Sequence, residues 1–224
     1  MEFFLDTANI NSIKKGIEYY PISGVTTNPT IISREKTNFI ELLKNIKSIL
    51  GNNKSLHVQA LGTNAKNIIE EAFYINELLG DNVYIKIPVI PEGIKAMKSL
   101  SEKNIKITAT AVFTPQQGLI AAKSGATYVA PYVNRIDNIS GNGINVINEM
   151  YKLFEAEKTQ AKILAASFKN VEQIHKASLA GAHSATIPLE LMEYLIFHPL
   201  TDVSVENFIK DWEDLYGKDK TLLP

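Results

Sequence analysis

Residues Lys162-Ile163-Leu164-Ala165-Ala166 are apolar at every position after the first. A strand with one wet face would interrupt such a run with polar side chains. Continuous apolarity fits a parallel strand covered on both faces. Comparable runs occur at 3–6, 24–26, 56–60, 83–89, 105–112, 128–131 and 182–188, making eight with 162–166. Their spacing of roughly 20–35 residues is what βα units require.

The segments between them carry helix signals. Thr114-Pro115-Gln116-Gln117 reads as a capping box with proline at the first helical position, and Gly125 follows that helix. Asn170 and Gln173 repeat the spacing, with Gly181 as the stop. Ala65, Ile68, Ile69, Ala72 and Leu79 form one helical stripe, and Ile94, Met97 and Leu100 another after Pro91. Asn9 is placed to cap a helix whose inner face is Ile10, Ile13 and Ile17.

Eight βα units without a linker predict an α/β fold, a single (β/α)₈ TIM barrel over residues 1–200. An open doubly wound sheet is the competing architecture. It normally places a glycine-rich phosphate turn after its first strand, and here that turn is Asp6-Thr7-Ala8-Asn9. Residues 201–224 are left over. A helix at about 203–216 with Phe208, Ile209, Trp212 and Leu215 has no inner position in a complete barrel. It is expected to cover the barrel's exterior or to pack on a neighbouring subunit.

Composition narrows the function. The 224 residues are 45% hydrophobic and 21% charged, an ordinary globular mixture. A formal net charge of −1 offers no basic field for nucleic acid or an anionic membrane surface. No run of about 18 apolar residues or basic leader stands at the start, so the expected location is cytoplasmic. The absence of cysteine excludes disulfides, thiolate nucleophiles and cysteine metal sites. His57, His175, His183 and His198 lack a short ligand spacing, so no metal site is expected and packing roles are. Arginine occurs only at Arg34 and Arg135, against 21 lysines.

Barrel chemistry sits at the C-terminal ends of the strands. There the sequence places Asp6, Thr26, Asn28, Gln59, Lys86, Thr108, Thr110, Tyr132, Arg135, Ser167, Lys169 and Thr186. Lys86 is the sharpest signal, because Val83-Tyr84-Ile85-Lys86-Ile87-Pro88-Val89 is otherwise an apolar strand. A lysine there is desolvated, paired or neutral, and a neutral amine attacks carbonyls. The competing reading is a lysine that snorkels to solvent or pairs with Asp6. Asp6 is either a helix cap or a proton acceptor in the barrel mouth. Tyr132 either fills space or acts as an acid/base. Gln59 orients a water or satisfies a neighbour. Arg135, Ser167 and Lys169 form a candidate anion site, with Ser167 before a helix start; a salt bridge to Asp137 is the other reading of Arg135.

Taken together, the strand-end segments resemble the small transaldolase family. The matching motifs are Leu5-Asp6-Thr7, Gly24-Val25-Thr26-Thr27-Asn28-Pro29, Lys86-Ile87-Pro88, Pro131-Tyr132-Val133-Asn134-Arg135-Ile136-Asp137 and Ala165-Ala166-Ser167-Phe168-Lys169. Gln59 and Tyr132 make the chain most similar to the fructose-6-phosphate aldolases, since transaldolases proper typically carry Glu and Phe there. The resemblance implies a class I aldolase without metal or other cofactor, acting on sugar phosphates and small ketones or aldehydes. It implies Lys86 as the Schiff-base lysine and Asp6 in proton transfer. Gln59, Thr110 and Tyr132 hold a proton-shuttling water, Thr26 and Asn28 the donor hydroxyls, and Arg135, Ser167 and Lys169 the phosphate. It further implies a decamer of two stacked pentamers in which the last helix reaches another subunit. Three alternatives stay open: a transaldolase, a catalytically silent sugar-phosphate binder, and a Schiff-base aldolase for a deoxysugar phosphate.

Overall fold

The computed structural model describes residues 1–223 and shows eight parallel strands closed in sequential order into a barrel. The strands are β1 (Glu2–Asp6), β2 (Ile22–Thr26), β3 (Ser55–Gln59), β4 (Val83–Pro88), β5 (Ile107–Val112), β6 (Tyr128–Pro131), β7 (Lys162–Ala165) and β8 (Ser184–Ile187). The helices between them are α1 (Ile10–Tyr19), α2 (Pro29–Arg34), α3 (Phe39–Leu50), α4 (Ala65–Leu79), α5 (Pro91–Ser101), α6 (Pro115–Lys123), α7 (Val133–Asp137), α8 (Gly143–Ala156) and α9 (Val171–Leu179). Helices α10 (Leu189–Ile196) and α11 (Pro199–Tyr216) follow the last strand.

The strands read as apolar throughout because each face meets a different core. Ile163 and Ala165 of β7 belong to the aliphatic layer under the helices, with Ile85, Ile87, Ile107 and Val129. Leu164 and Ala166 turn to the barrel axis, with Phe4, Tyr128 and Ala130. Strand alternation therefore settles where Lys86 points. Its neighbours Ile85 and Ile87 lie in the outer layer, so Lys86 faces the axis.

The capping signals are present with one shift. Thr114 and Gln117 form a reciprocal box at the start of α6. Asn9 caps α1 by accepting from Ser12 N. Asn170 caps α9, but the Gln173 side chain accepts from Lys169 N, one residue before the cap. Gly125 and Gly181 both adopt positive φ after their helices.

Inside the barrel, His57 is fully buried. Its ring stacks on Tyr84 at 4.5 Å and meets Phe4 edge-on at 5.1 Å. Nδ1 lies 2.8 Å from Thr108 Oγ1 and Nε2 lies 3.1 Å from Ser55 Oγ. Burial, with the charge of Lys86 above it, holds the imidazole well below its usual pKa. Both ring nitrogens thus have hydroxyl partners within the barrel. The unfolded chain takes up a proton below about pH 6.5 that the folded chain refuses, so stability is lost as pH falls through that range, at up to about 1.4 kcal/mol per pH unit. Thermal melts at about pH 7.5 and pH 5 will show this, and His57→Phe will flatten the difference. An unchanged pH dependence in the variant would assign the loss to other groups.

Helix α11 begins four residues earlier than expected, at Pro199, and none of its residues is buried. Phe208 is 70% exposed and Leu215 74%. The expectation that this helix covers the barrel's exterior does not hold within one chain. Of the leftover segment 201–224, Pro224 lies outside the described residues.

Candidate active site

Lys86 is 5% exposed, and its Nζ donates to the Thr27 carbonyl at 2.6 Å. Desolvation pushes the amine's pKa down, and Asp6 pulls part of the way back. No carboxylate stands within ion-pair distance of it among the described residues. The lysine neither snorkels nor pairs with Asp6. It is an interior amine whose burial disfavours the charged form.

Asp6, at the end of β1, is not the helix cap, since Asn9 does that work. Its Oδ1 accepts from Thr26 Oγ at 2.7 Å, and Thr26 Oγ1 lies 2.6 Å from Thr186 Oγ1. An ionised carboxylate only accepts. The single Thr26 proton is then spent on Asp6, and Thr186 must donate to Thr26. The three side chains from β1, β2 and β8 form a one-way chain ending on the carboxylate. Burial raises the Asp6 pKa, while Lys86, Thr26 and Arg135 oppose the rise. A carboxylate so placed is a stronger base than a solvated one. Thr186 was visible in the sequence only as a polar strand-end residue. Its partner lies 160 residues away, and no local pattern reveals that pairing.

Gln59 stands beside Lys86 in the β3–β4 register and is half-buried. Thr110 Oγ1 lies 2.8 Å from the Tyr132 hydroxyl. A bulge in β5, with the register shifting between Ala109 and Val112 and Ala111 at φ 56°, lies next to Thr110. Left-handed backbone at a non-glycine residue costs about 1 kcal/mol and gathers at functional sites.

Arg135 is exposed and sits with its guanidinium 4.7 Å from the Tyr132 ring centroid. It forms no ion pair with Asp137. That carboxylate is occupied by Gly143 N at 2.8 Å and Gln173 Nε2 at 2.9 Å. Ser167 adopts φ 63° and its carbonyl accepts from Asn134 N. It precedes α9, which Asn170 caps.

These groups meet in one cavity of about 280 Å³ at the C-terminal ends of the strands. It is lined by Asp6, Thr26, Asn28, Lys86, Tyr132, Arg135, Ser167, Lys169 and Thr186, and also by Thr30 and Arg34. Gln59 and Thr110 are not among the residues that line it. A larger hollow of about 700 Å³ lies around Asn142, Asn145 and Lys176, and none of the strand-end residues named above lines it. Among the described residues no cluster of His, Asp and Glu is arranged to hold a metal ion.

A family model described as transaldolase/fructose-6-phosphate aldolase matches residues 3–219. The chain belongs to this family. A probable fructose-6-phosphate aldolase of Streptococcus pneumoniae is 41% identical over 95% of this chain and 96% of that protein. A probable transaldolase of Aquifex aeolicus is 43% identical over 97% and 99%, and one of Clostridioides difficile 44% over 95% and 97%. Both names occur among relatives of similar distance, so overall similarity does not divide the transaldolase/fructose-6-phosphate aldolase family at this chain. The choice between the two activities rests on individual side chains. Among the described residues no helix is long and apolar enough to cross a membrane.

Proposed function

We propose that the protein is a cytoplasmic class I aldolase that cleaves and forms fructose 6-phosphate from dihydroxyacetone and glyceraldehyde 3-phosphate. The observation that carries this reading is the buried Lys86 amine opening on a cavity that also holds Asp6 and Arg135.

In this mechanism Lys86 adds to the C2 carbonyl and water leaves, giving an iminium. Asp6 takes the proton of the C4 hydroxyl. The C3–C4 electrons pass into the iminium, producing an enamine and free glyceraldehyde 3-phosphate. A water held near Gln59, Thr110 and Tyr132 returns a proton to C3, and hydrolysis releases dihydroxyacetone and restores the amine. Thr26 and Asn28 hold the donor hydroxyls. Arg135, Ser167 and Lys169 hold the phosphate, the planar guanidinium supplying paired donors.

A transaldolase shares every step to the enamine, which an aldose phosphate then captures. Gln59 and the Tyr132 hydroxyl favour release by water. The test is consumption of fructose 6-phosphate without an acceptor. Consumption only after erythrose 4-phosphate is added would make the protein a transaldolase. A silent binder would give no covalent adduct with dihydroxyacetone and borohydride.

Arg135→Ala is expected to raise KM for phosphorylated substrates by about 10- to 100-fold, the loss of one charge-assisted contact. Its effect on an unphosphorylated aldehyde should be small, and equal effects on both would remove the phosphate contact from the reading. We also propose that the exposed Phe208, Ile209 and Leu215 of α11 pack on a neighbouring subunit in a decamer of stacked pentamers. The supporting observation is that α11 buries no residue within its own chain.

A further inference from the structure

We propose that Thr27 is the positioning residue for the Lys86 nitrogen: its hydroxyl aims the backbone carbonyl that holds that nitrogen, first as an amine and then as an iminium. This inference rests on the Schiff-base reading of Lys86.

In Thr26-Thr27-Asn28-Pro29, three residues have evident tasks. Thr26 donates to Asp6, Asn28 caps α2, and Pro29 opens that helix. Thr27 does not line the cavity and is fully buried. Its backbone N–H and its hydroxyl both donate to the His57 carbonyl, each at 3.0 Å. That acceptor is itself fixed. His57 pairs with Thr26 on one side and with Tyr84 on the other in the β2–β3–β4 register, and its ring meets Thr108 and Ser55. Thr27 is therefore pinned at two points to the middle of β3.

The chain beyond Thr27 is held as well. Asn28 is extended, at φ −152° and ψ 167°, as a residue before proline prefers. Its Oδ1 accepts from Ile31 N at 2.9 Å. The peptide group between Thr27 and Asn28 thus has little freedom to rotate. Its carbonyl accepts from Lys86 Nζ at 2.6 Å, and among the described residues no other group donates to it. The contact runs from β4 to the end of β2, across β3.

The chemistry gives that carbonyl a use beyond the resting amine. Condensation with a ketone leaves the lysine nitrogen one N–H, on a planar, positively charged iminium. A carbonyl already aligned with the amine accepts that N–H, and hydrogen bonds from charged donors are the stronger kind. The N–H lies in one plane with C1, C2 and C3, so holding it sets the plane. The C3–C4 bond must stand across that plane for its electrons to enter the iminium. A loosened Thr27 carbonyl therefore slows formation of the iminium and cleavage from it, while Thr26 and Asn28 keep their contacts to the donor hydroxyls.

The experiment is a timed borohydride quench with dihydroxyacetone, read as adduct fraction by intact mass, on the wild-type chain, Thr27→Val and Thr27→Ser. Valine keeps the volume and removes the hydroxyl; serine keeps the hydroxyl. The maximal rate of adduct formation should fall about tenfold in Thr27→Val, the loss of one positioning hydrogen bond. The half-saturating concentration of dihydroxyacetone should change little, and Thr27→Ser should keep most of the rate. Thr27→Ala supplies the same comparison if the valine variant is not recovered folded. An unchanged maximal rate overturns the proposal. So does a rise in the half-saturating concentration alone, or a serine variant as slow as the valine one. A wild-type chain that forms no adduct fails the Lys86 reading itself.

Discussion

Lys86→Met will abolish aldol cleavage, by about 10⁴-fold or more, and will raise the thermal midpoint of the same protein. The first half follows from the chemistry. In the proposed mechanism the iminium on this amine accepts the C3–C4 electron pair, and Lys169, the other lysine lining the cavity, is exposed and assigned to the phosphate. The second half follows from burial. In the unfolded chain the amine is protonated up to about pH 10.4. In the fold, desolvation pushes its pKa down. A group whose folded pKa is depressed loses stability as pH falls from the unfolded value through the folded one. At neutral pH Lys86 is thus a cost to the fold. Methionine fills a similar volume without a charge. A gain of about 1 kcal/mol would raise the midpoint by about 2–4 °C in a domain of this size. Differential scanning calorimetry and adduct mass give both readouts on one sample. A variant that keeps its borohydride adduct would place the Schiff base elsewhere. A lowered midpoint would mean that Lys86 holds the barrel together through Thr27 rather than straining it.

The parts of this molecule that could be read in advance are those set by local burial. Ile163 through Ala166 announced a strand with two dry faces, because the helix layer and the barrel axis both exclude water. Lys86 stood out because desolvating an ammonium is costly whatever surrounds it. Roles decided across the barrel were less legible. Asp6 reads as a cap until Thr26, on the neighbouring strand, is seen donating to it. Arg135 and Asp137 lie two residues apart and look like a pair, but α8 and α9 claim the carboxylate through Gly143 and Gln173. Arg34 gave no signal, because it lies at the far end of α2 and only the fold brings that end onto the cavity. The bulge at Ala111 is carried by a residue with no special turn propensity.

Tyr132→Phe tests what happens after the carbon–carbon bond breaks. Its hydroxyl lies 2.8 Å from Thr110 Oγ1, and its ring is held between Arg135 at 4.7 Å and Phe113, edge-on at 5.8 Å. Phenylalanine keeps both ring contacts, so the change removes one proton carrier and little shape. Positioned acid/base groups contribute about 10²–10⁴ in rate, and cleavage should fall within that range. Lys86 adds to the ketone, and the carbinolamine loses water with a proton from solvent or a neighbouring group. Long trapping times allow that step without the phenol, so the dihydroxyacetone adduct should persist. Capture of the enamine by an added aldose phosphate should survive better than release by water, because the aldehyde brings its own acceptor carbon. The ratio of transfer to cleavage is therefore the sensitive quantity. Thr110→Val serves as the control: it deletes the Tyr132 partner and keeps the phenol. A smaller loss than in Tyr132→Phe places the proton on the tyrosine. Equal losses would place it on the bound water that both hydroxyls orient, and full cleavage by Tyr132→Phe would leave that hydroxyl no part in the reaction.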